Sequence, residues 1–308
     1  MRVIVTGAGG FVGRQFVASM TGHDVVAIDS ARASIPDLPN VHPIVGDITD
    51  VQVLALAFAG GCDAVVHLAT VPGGAAEQDP ELAWRVNIDG TMELAQMAGK
   101  VGERPRFVFA SSIAVFGDPI PAGVDDATPL APRLLYAGHK AMMEQWLAVL
   151  SRRGDIDALS LRLPGVVARP QGPSGMKSAF LSDSFHALRA GRKFVMPVSP
   201  DATSWLSSVN CVADNLRHAL FLDPELTGVR ALTLPALRVR MGDMIDEIAR
   251  QTHATSNLVS YEPDVPLEMA FGRQPALTTH LGDQLGFSHD TNLAALVETA
   301  LAQLAVAN

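Results

Sequence analysis

Thr6-Gly7-Ala8-Gly9-Gly10-Phe11-Val12-Gly13 is the stretch that decides the fold. It follows an apolar run, Met1 to Thr6, and leads into residues with helical spacing, so it reads as the turn between a buried strand and a helix. Glycines at 7, 10 and 13 suit a tight turn, close approach of backbone to a pyrophosphate, and close packing of helix on sheet. The N–H groups that open the helix, those of Phe11, Val12 and Gly13 among them, would then point at the phosphates. Glycine turns are common, so the weight of this one comes from its surroundings.

Working outward, Val- and Ile-rich runs alternate with helical stretches, as expected of crossover units on a parallel sheet buried on both faces. Strands are expected at Met1 to Thr6, Asp24 to Asp29, His42 to Val45, Ala64 to Leu68, Arg106 to Ala110 and Asp157 to Leu163. Helices are expected at about Gly10 to Ser19, Asp50 to Phe58, Asp79 to Lys100 and Leu134 to Arg152. That order predicts an α/β fold, a doubly wound Rossmann-type parallel sheet. After Leu163 the texture changes to a Pro/Gly-rich stretch and short strands, with a strand at Arg230 to Leu234 and helices at about Met241 to His253 and Asn292 to Val306. The reading is a dinucleotide-binding domain over 1–167, with a return of the chain at about 205–235. A smaller mixed substrate domain occupies mainly 168–308.

Asp29 closes the second strand, 22 residues beyond Gly7. A carboxylate there accepts hydrogen bonds from the adenine ribose and repels a 2′-phosphate, which favours NAD; nearby Arg32 keeps NADP open. Asp47-Ile48 follows the third strand and is placed either at the adenine edge or, for the aspartate, at the cap of the helix near Asp50.

The formal net charge of −9 opposes binding to nucleic acid or anionic lipid. No apolar run reaches the roughly 18 residues of a membrane span, and Met1 to Thr6 leaves no room for a secretory leader, so a cytoplasmic protein is expected. Cys62 and Cys211 sit in apolar surroundings without C-x-x-C spacing and read as structural thiols; no metal site is expected.

Tyr136 and Lys140 are four residues apart, on one face of a helix. A lysine charge beside a phenol lowers its pKa from the usual value of about 10, and a tyrosinate so poised takes the proton of a substrate hydroxyl as hydride leaves its carbon. The spacing alone is also that of an ordinary solvated helix face. His139 falls on another side of the helix and reads as a bystander, and His67 is given no catalytic role.

Taken together, the glycine turn, Asp29, Asp47-Ile48, His67-Leu68-Ala69-Thr70, Asn87-Ile88-Asp89-Gly90-Thr91, Ser111-Ser112 and the Tyr136/Lys140 pair resemble the extended short-chain dehydrogenase/reductase family over about the first 165 residues. The resemblance implies that Ser112, four residues before Phe116 in a Ser-x-x-Val-aromatic-Gly pattern, hydrogen-bonds the reacting oxygen, with Ser111 as the fallback. It implies that Asn87 serves the active site, against the alternative of a polar residue that bends a helix. It also implies that Leu68, Ala69, Thr70, Asn87, Tyr136, Lys140, Pro164 and Val166 border NAD.

Nucleotide-sugar epimerases and dehydratases of that family carry an asparagine where Arg162-Leu163-Pro164-Gly165 has glycine. They also carry an arginine-aspartate-aromatic motif where this chain has Thr203-Ser204-Trp205-Leu206. A diphosphate would lose both anchors, so these enzymes are the alternative and a small polar acid the first expectation. Leu161 to Pro170, and Pro197-Val198-Ser199-Pro200 leading to Trp205-Leu206-Ser207-Ser208, resemble the branch whose members oxidise D-erythronate at the 2-hydroxyl. Arg169, just past the strand end, suits a substrate carboxylate, with a surface ion pair as the other reading; Ser178 and Lys177 follow as weaker contacts. A homodimer is expected from the family and from the apolar positions Met92, Met97, Met142, Met143, Trp146 and Leu150, which core packing also explains.

Overall fold

A computed structural model describes residues 1–31, 34–117, 120–172, 176–222 and 229–306. Arg32 therefore lies outside the described residues. In chain order the elements are β1 (Arg2–Thr6), α1 (Phe11–Ser19), β2 (Asp24–Asp29), β3 (Val41–Val45), α2 (Val51–Phe58), β4 (Ala64–His67), α3 (Gly73–Gln78) and α4 (Pro80–Trp84). A π-helical turn, Arg85–Gly90, leads into α5 (Thr91–Val101), β5 (Arg106–Ser112), β6 (Gly123–Val124), α6 (Leu135–Arg153), β7 (Asp157–Leu163) and β8 (Gly165–Val167). Then come α7 (Phe180–Arg189), β9 (Phe194–Met196), β10 (Thr203–Ser208), α8 (Val209–Phe221), β11 (Ala231–Thr233), β12 (Leu237–Arg240) and α9 (Met241–Thr252). The chain ends with β13 (Val259–Tyr261), α10 (Val265–Phe271), β14 (Ala276–Leu277), α11 (His280–Gln284) and α12 (Leu293–Val306).

The first compact unit comprises Met1–Val115, Pro132–Leu163 and Ala213–Thr233. Its seven-stranded sheet has the order β11-β7-β5-β4-β1-β2-β3 with every pairing parallel. The expected doubly wound sheet is therefore present, and its order reverses between β1 and β4, where such sheets bind ligands. β1, β4, β5 and β7 are buried nearly throughout because their runs are apolar on both faces. β3 is an edge strand, which is where Pro43, unable to donate to a ladder, is tolerated. On one face Ile4, Val65, Phe107 and Phe109 pack against Leu94, Ala98, Met143, Leu147 and Leu150.

One expected helix, Asp79 to Lys100, is instead α4, the π turn and α5 in succession. Asp79 caps α4 through Leu82 N–H at 2.9 Å, as its position predicts. The widening at Arg85–Gly90 turns on Asn87, a polar side chain drawn inward to serve a neighbouring loop.

The second unit comprises Phe116–Ala131, Pro164–Val212 and Leu234–Asn308. It holds a three-stranded sheet, β12-β10-β8, and two strand pairs, β13-β9 and β14-β6. Trp205 on β10 is its largest fully buried side chain; the indole N–H donates to Pro275 O at 2.8 Å and the ring meets Phe116 edge-on at 6.4 Å. Around it Phe180, Phe185, Met244, Ile248, Leu296 and Ala300 form a separate core. Among the described residues no helix is long and apolar enough to cross a membrane, and no group of three or more His, Cys, Asp or Glu is placed to hold a metal.

Candidate active site

The cofactor turn is tight because only glycine fits it. Gly7 has φ +67°, and a Cβ there would lie 2.7 Å from Ala69 N; at Gly13 it would lie 2.1 Å from Gly7 O. The turn closes with Gly10 N–H donating to Gly7 O at 3.0 Å, and α1 begins with Gly10 as an N-cap that has no side chain to engage the first-turn N–H groups. Phe11, Val12 and Gly13 are the opening residues of that helix, whose positive end favours an anion. Asp29 accepts from Gly9 N–H at 2.9 Å and Ala31 N–H at 3.0 Å, which brings its carboxylate to the turn. These residues fit NAD: a glycine turn that could cradle a pyrophosphate and, at its edge, a carboxylate that could accept from a ribose hydroxyl.

Asp47 and Ile48 part company. Asp47 is exposed and accepts from Thr49 N–H at 2.9 Å, whereas the helix cap is Asp50, which accepts from Gln52 N–H at 2.8 Å. Ile48 is buried in the core of the first unit.

Leu68, Ala69 and Thr70 run directly beside the glycine turn. Leu68 N–H donates to Thr6 O at 3.1 Å and Ala69 N–H to Thr6 Oγ1 at 3.3 Å. His67 is buried, its ring nitrogens 2.6 Å from Thr6 Oγ1 and 2.8 Å from Thr91 Oγ1. Burial, and then the charge of Lys140, push its pKa down to about 3, so it is a neutral bridge from the end of β1 to the start of α5.

Asn87 uses both ends of its amide. Its oxygen accepts from Val71 N–H at 2.7 Å and Thr70 Oγ1 at 3.0 Å, and its nitrogen donates to Val71 O at 3.0 Å. That nitrogen also lies 3.4 Å from Nδ1 of His139. The structure thus shows Asn87 clamping the loop after β4. His139 is buried rather than turned to solvent; it packs edge-on against Trp84 at 5.7 Å, and burial, then Lys140, lower its pKa.

Tyr136 stands in the first turn of α6, where the helix dipole favours negative charge, and Lys140 lies one turn deeper. The Lys140 ammonium is 5.6 Å from the centre of the Tyr136 ring and 4.5 Å from that of Phe109. Burial pulls its pKa down to about 7, while the charge of Glu144 acts in the opposite direction. Ser111 and Ser112, adjacent at the end of β5, have different partners. Ser111 Oγ donates to Glu144 Oε1 at 2.5 Å in the interior, whereas Ser112 is half-buried and accepts from Ala114 N–H at 3.2 Å.

Pro164 precedes β8 and Val166 lies within it, both in the second unit. There Gly165 is closely packed: a Cβ would meet Leu206 Cδ2 at 2.9 Å and Trp205 O at 3.1 Å. Thr203 Oγ1 donates to Gln274 O at 2.8 Å and accepts from Arg238 at 3.3 Å. The Arg169 guanidinium reaches Val166 O at 3.5 Å and Met176 Sδ at 2.9 Å, while its carbonyl meets His186 Nε2 at 2.7 Å. Ser178 is half-buried in the short turn Lys177–Ala179, and Lys177 is exposed.

Sequence reasoning passed over Glu144 and Arg162. The signals for them were the spacing of Tyr136, Lys140 and Glu144 along one helix face, and an arginine set between two leucines in a buried strand. Cys62 is a buried thiol whose pKa burial raises to about 12, with its Sγ donating to Ala64 O at 3.3 Å. Cys211 is half-buried.

The model of the NAD dependent epimerase/dehydratase family matches residues 3–205. D-erythronate dehydrogenase of Cupriavidus necator is 32% identical over 97% of this chain and 99% of that protein. D-erythronate dehydrogenase of Haemophilus influenzae is 29% identical over 97% and 98%. Among solved structures, the nucleoside-diphosphate-sugar epimerase of Agrobacterium tumefaciens superposes with a TM-score of 0.88 at 28% identity, covering 100% of this chain and 95% of that one. The chain therefore belongs to the NAD dependent epimerase/dehydratase family and is an NAD-dependent dehydrogenase.

Proposed function

We propose that the chain oxidises the 2-hydroxyl of a small sugar acid, D-erythronate or a related 2-hydroxy aldonate, to the 2-oxo acid, with Tyr136 as general base. The observation that carries the choice of substrate is the close packing at Gly165: an asparagine there needs a Cβ where Trp205 O and Leu206 already sit. Thr203 likewise offers a diphosphate no charge. Near-full-length similarity to two D-erythronate dehydrogenases supports the same choice.

NAD, when bound, supplies the hydride acceptor. The Tyr136 phenolate takes the hydroxyl proton while the C2 hydrogen departs with its electron pair, leaving a carbonyl. Lys140 stabilises the phenolate by charge, and Ser112 donates to the reacting oxygen. We assign the substrate carboxylate to Arg169, because a guanidinium just past the end of β8 offers the planar fork that a carboxylate meets bidentately, and a further polar contact to Ser178. Asn87 acts by holding Thr70 and Val71 in place.

The alternative, a nucleotide-sugar epimerase or dehydratase, is favoured by the likeness to the Agrobacterium structure. Incubating the protein with NAD and a panel of erythronate, threonate and longer aldonates separates the two. The proposal expects NADH from at least one acid; turnover of a nucleotide sugar without net NADH, and silence on every acid, rejects it. A homodimer belongs to the same reading: Met142 and Val149 on α6 and Val101 at the end of α5 are exposed, whereas Met143 and Leu150 are core. Sedimentation at micromolar concentration should find dimers, and monomers would remove that part. The reading carries a cytoplasmic location with it, since NAD must be supplied and NADH reoxidised.

A further inference from the structure

Glu144 lies one turn beyond Lys140 on the same side of α6, with its side chain fully buried. Arg162 on β7 grips it with a fork: Nε to Oε1 at 3.0 Å and Nη2 to Oε2 at 2.8 Å. Ser111 donates to Oε1 at 2.5 Å, and in the sheet Ser111 stands in register with Arg162. One carboxylate thus joins the ends of β5 and β7 to the helix that carries Tyr136 and Lys140. The residue next to Ser111 is Ser112.

A buried ion pair is a poor source of stability, because desolvating two charges costs about as much as their attraction returns, and apolar residues of the same volume often do as well. Its place beneath the proton-handling pair calls for another explanation. Two effects act there. The hydrogen bond to Ser111 fixes the end of β5 against α6, which sets where Ser112 sits. The negative charge, one helical turn from Lys140, favours the ammonium in a site where burial opposes it.

We propose that Glu144 is a positioning residue for the Tyr136/Lys140 chemistry: clamped by Arg162 and Ser111, it fixes Ser112 against α6 and holds the shared proton on Lys140. The inference rests on Tyr136 being the base and adds to it. The groups facing the pair are Glu144 and His139 on α6, Arg162 on β7, Ser111 on β5 and His67 on β4, with Glu77 of α3 reaching His139. Burial keeps His67 neutral and opposes charging of His139, so Glu144 is the anion that balances the ammonium.

With the Lys140 ammonium 5.6 Å from the centre of the Tyr136 ring, the two share one proton in this proposal. In Glu144→Gln the amide still accepts from Ser111, but the negative charge beside Lys140 and Arg162 is gone. The added positive potential makes the pair lose its proton at lower pH and draws that proton from Lys140 rather than from Tyr136. The acid limb of the kcat profile should therefore move down by about one pH unit or more, as a lost charge one helical turn away produces at an effective dielectric near 20. The plateau should fall by about tenfold or more. Removing both charges, in Glu144→Gln/Arg162→Met, should return the limb toward its wild-type position with the plateau still reduced.

An unmoved limb in Glu144→Gln, whatever its plateau, overturns the proposal, since loss of packing alone would lower kcat without shifting the profile. If the single variant does not fold, wild-type kcat in the double variant overturns it independently. Tyr136→Phe, measured alongside, keeps the two claims apart: an active Tyr136→Phe defeats the base assignment, whereas an inert one beside an unchanged Glu144→Gln defeats only the role of Glu144.

Discussion

Lys140 holds its ammonium 4.5 Å from the centre of the Phe109 ring, on the inner side of α6 and almost wholly out of water. A cation over an aromatic face recovers part of its lost hydration, but not all of it. With its folded pKa near 7 and its unfolded value at 10.5, the folded chain binds fewer protons than the unfolded one between those limits. The free energy of unfolding therefore rises with pH across that window, and the cost of the buried charge is felt in full below it. Lys140→Met should raise the melting temperature of the cofactor-free protein at neutral pH, with the gain over wild type shrinking as pH rises. It should also cut turnover by about a hundredfold or more. Thermal scans across pH, beside steady-state rates, check both halves.

We propose that Asp29, held at the glycine turn by Gly9 N–H, sets the choice of cofactor by charge. Asp29→Asn keeps a carbonyl oxygen for the Gly9 N–H and removes the repulsion of a 2′-phosphate. The ratio of kcat/KM for NAD over NADP should fall by about ten- to a hundredfold, the range expected for one charged hydrogen bond. An unchanged ratio would remove Asp29 from the cofactor site.

Asp157 lies between two arginines, 3.1 Å from Arg106 and 2.5 Å from Arg230, with all three side chains largely buried. The cluster secures β7 and the segment entering β11. Asp157→Ala removes a buried carboxylate shared by two buried cations and should cost about 3–5 kcal/mol. Urea unfolding should show a lower midpoint at unchanged slope.

Gly165→Asn restores in sequence what nucleotide-sugar enzymes carry. Its Cβ needs space that Leu206 and Trp205 fill, so the variant should lose about 1–3 kcal/mol of stability, as overpacked cores do, and gain no nucleotide-sugar turnover. Substrate assays and a melting curve on one preparation test both outcomes.

Much of the first unit is legible in the sequence because its signals are local. Val/Ile runs give β1, β2 and β4, and a Leu-rich run gives β7, within a residue of their ends, and the glycine turn declares the start of α1. Asp29 is placed by its distance from that turn. What escapes is whatever depends on packing between distant residues. Asp79 to Lys100 reads as one amphipathic stretch, yet it breaks at Asn87, whose side chain serves Thr70 and Val71. His139 reads as a bystander on another side of α6 until Asn87 and Trp84 are found against it. Glu144 and Arg162 are separated by the second half of α6, the turn after it and most of β7, so their pairing appears only once β7 lies under α6.

The most direct measurement of the central claim is the fate of a deuterium placed at C2 of erythronate. Oxidation at the 2-hydroxyl predicts that the label appears in the reduced nicotinamide, with one deuterium per molecule of 2-oxo acid formed, and that Tyr136→Phe slows its arrival. Label retained in the acid while NADH forms, or no NADH at all, would contradict the account.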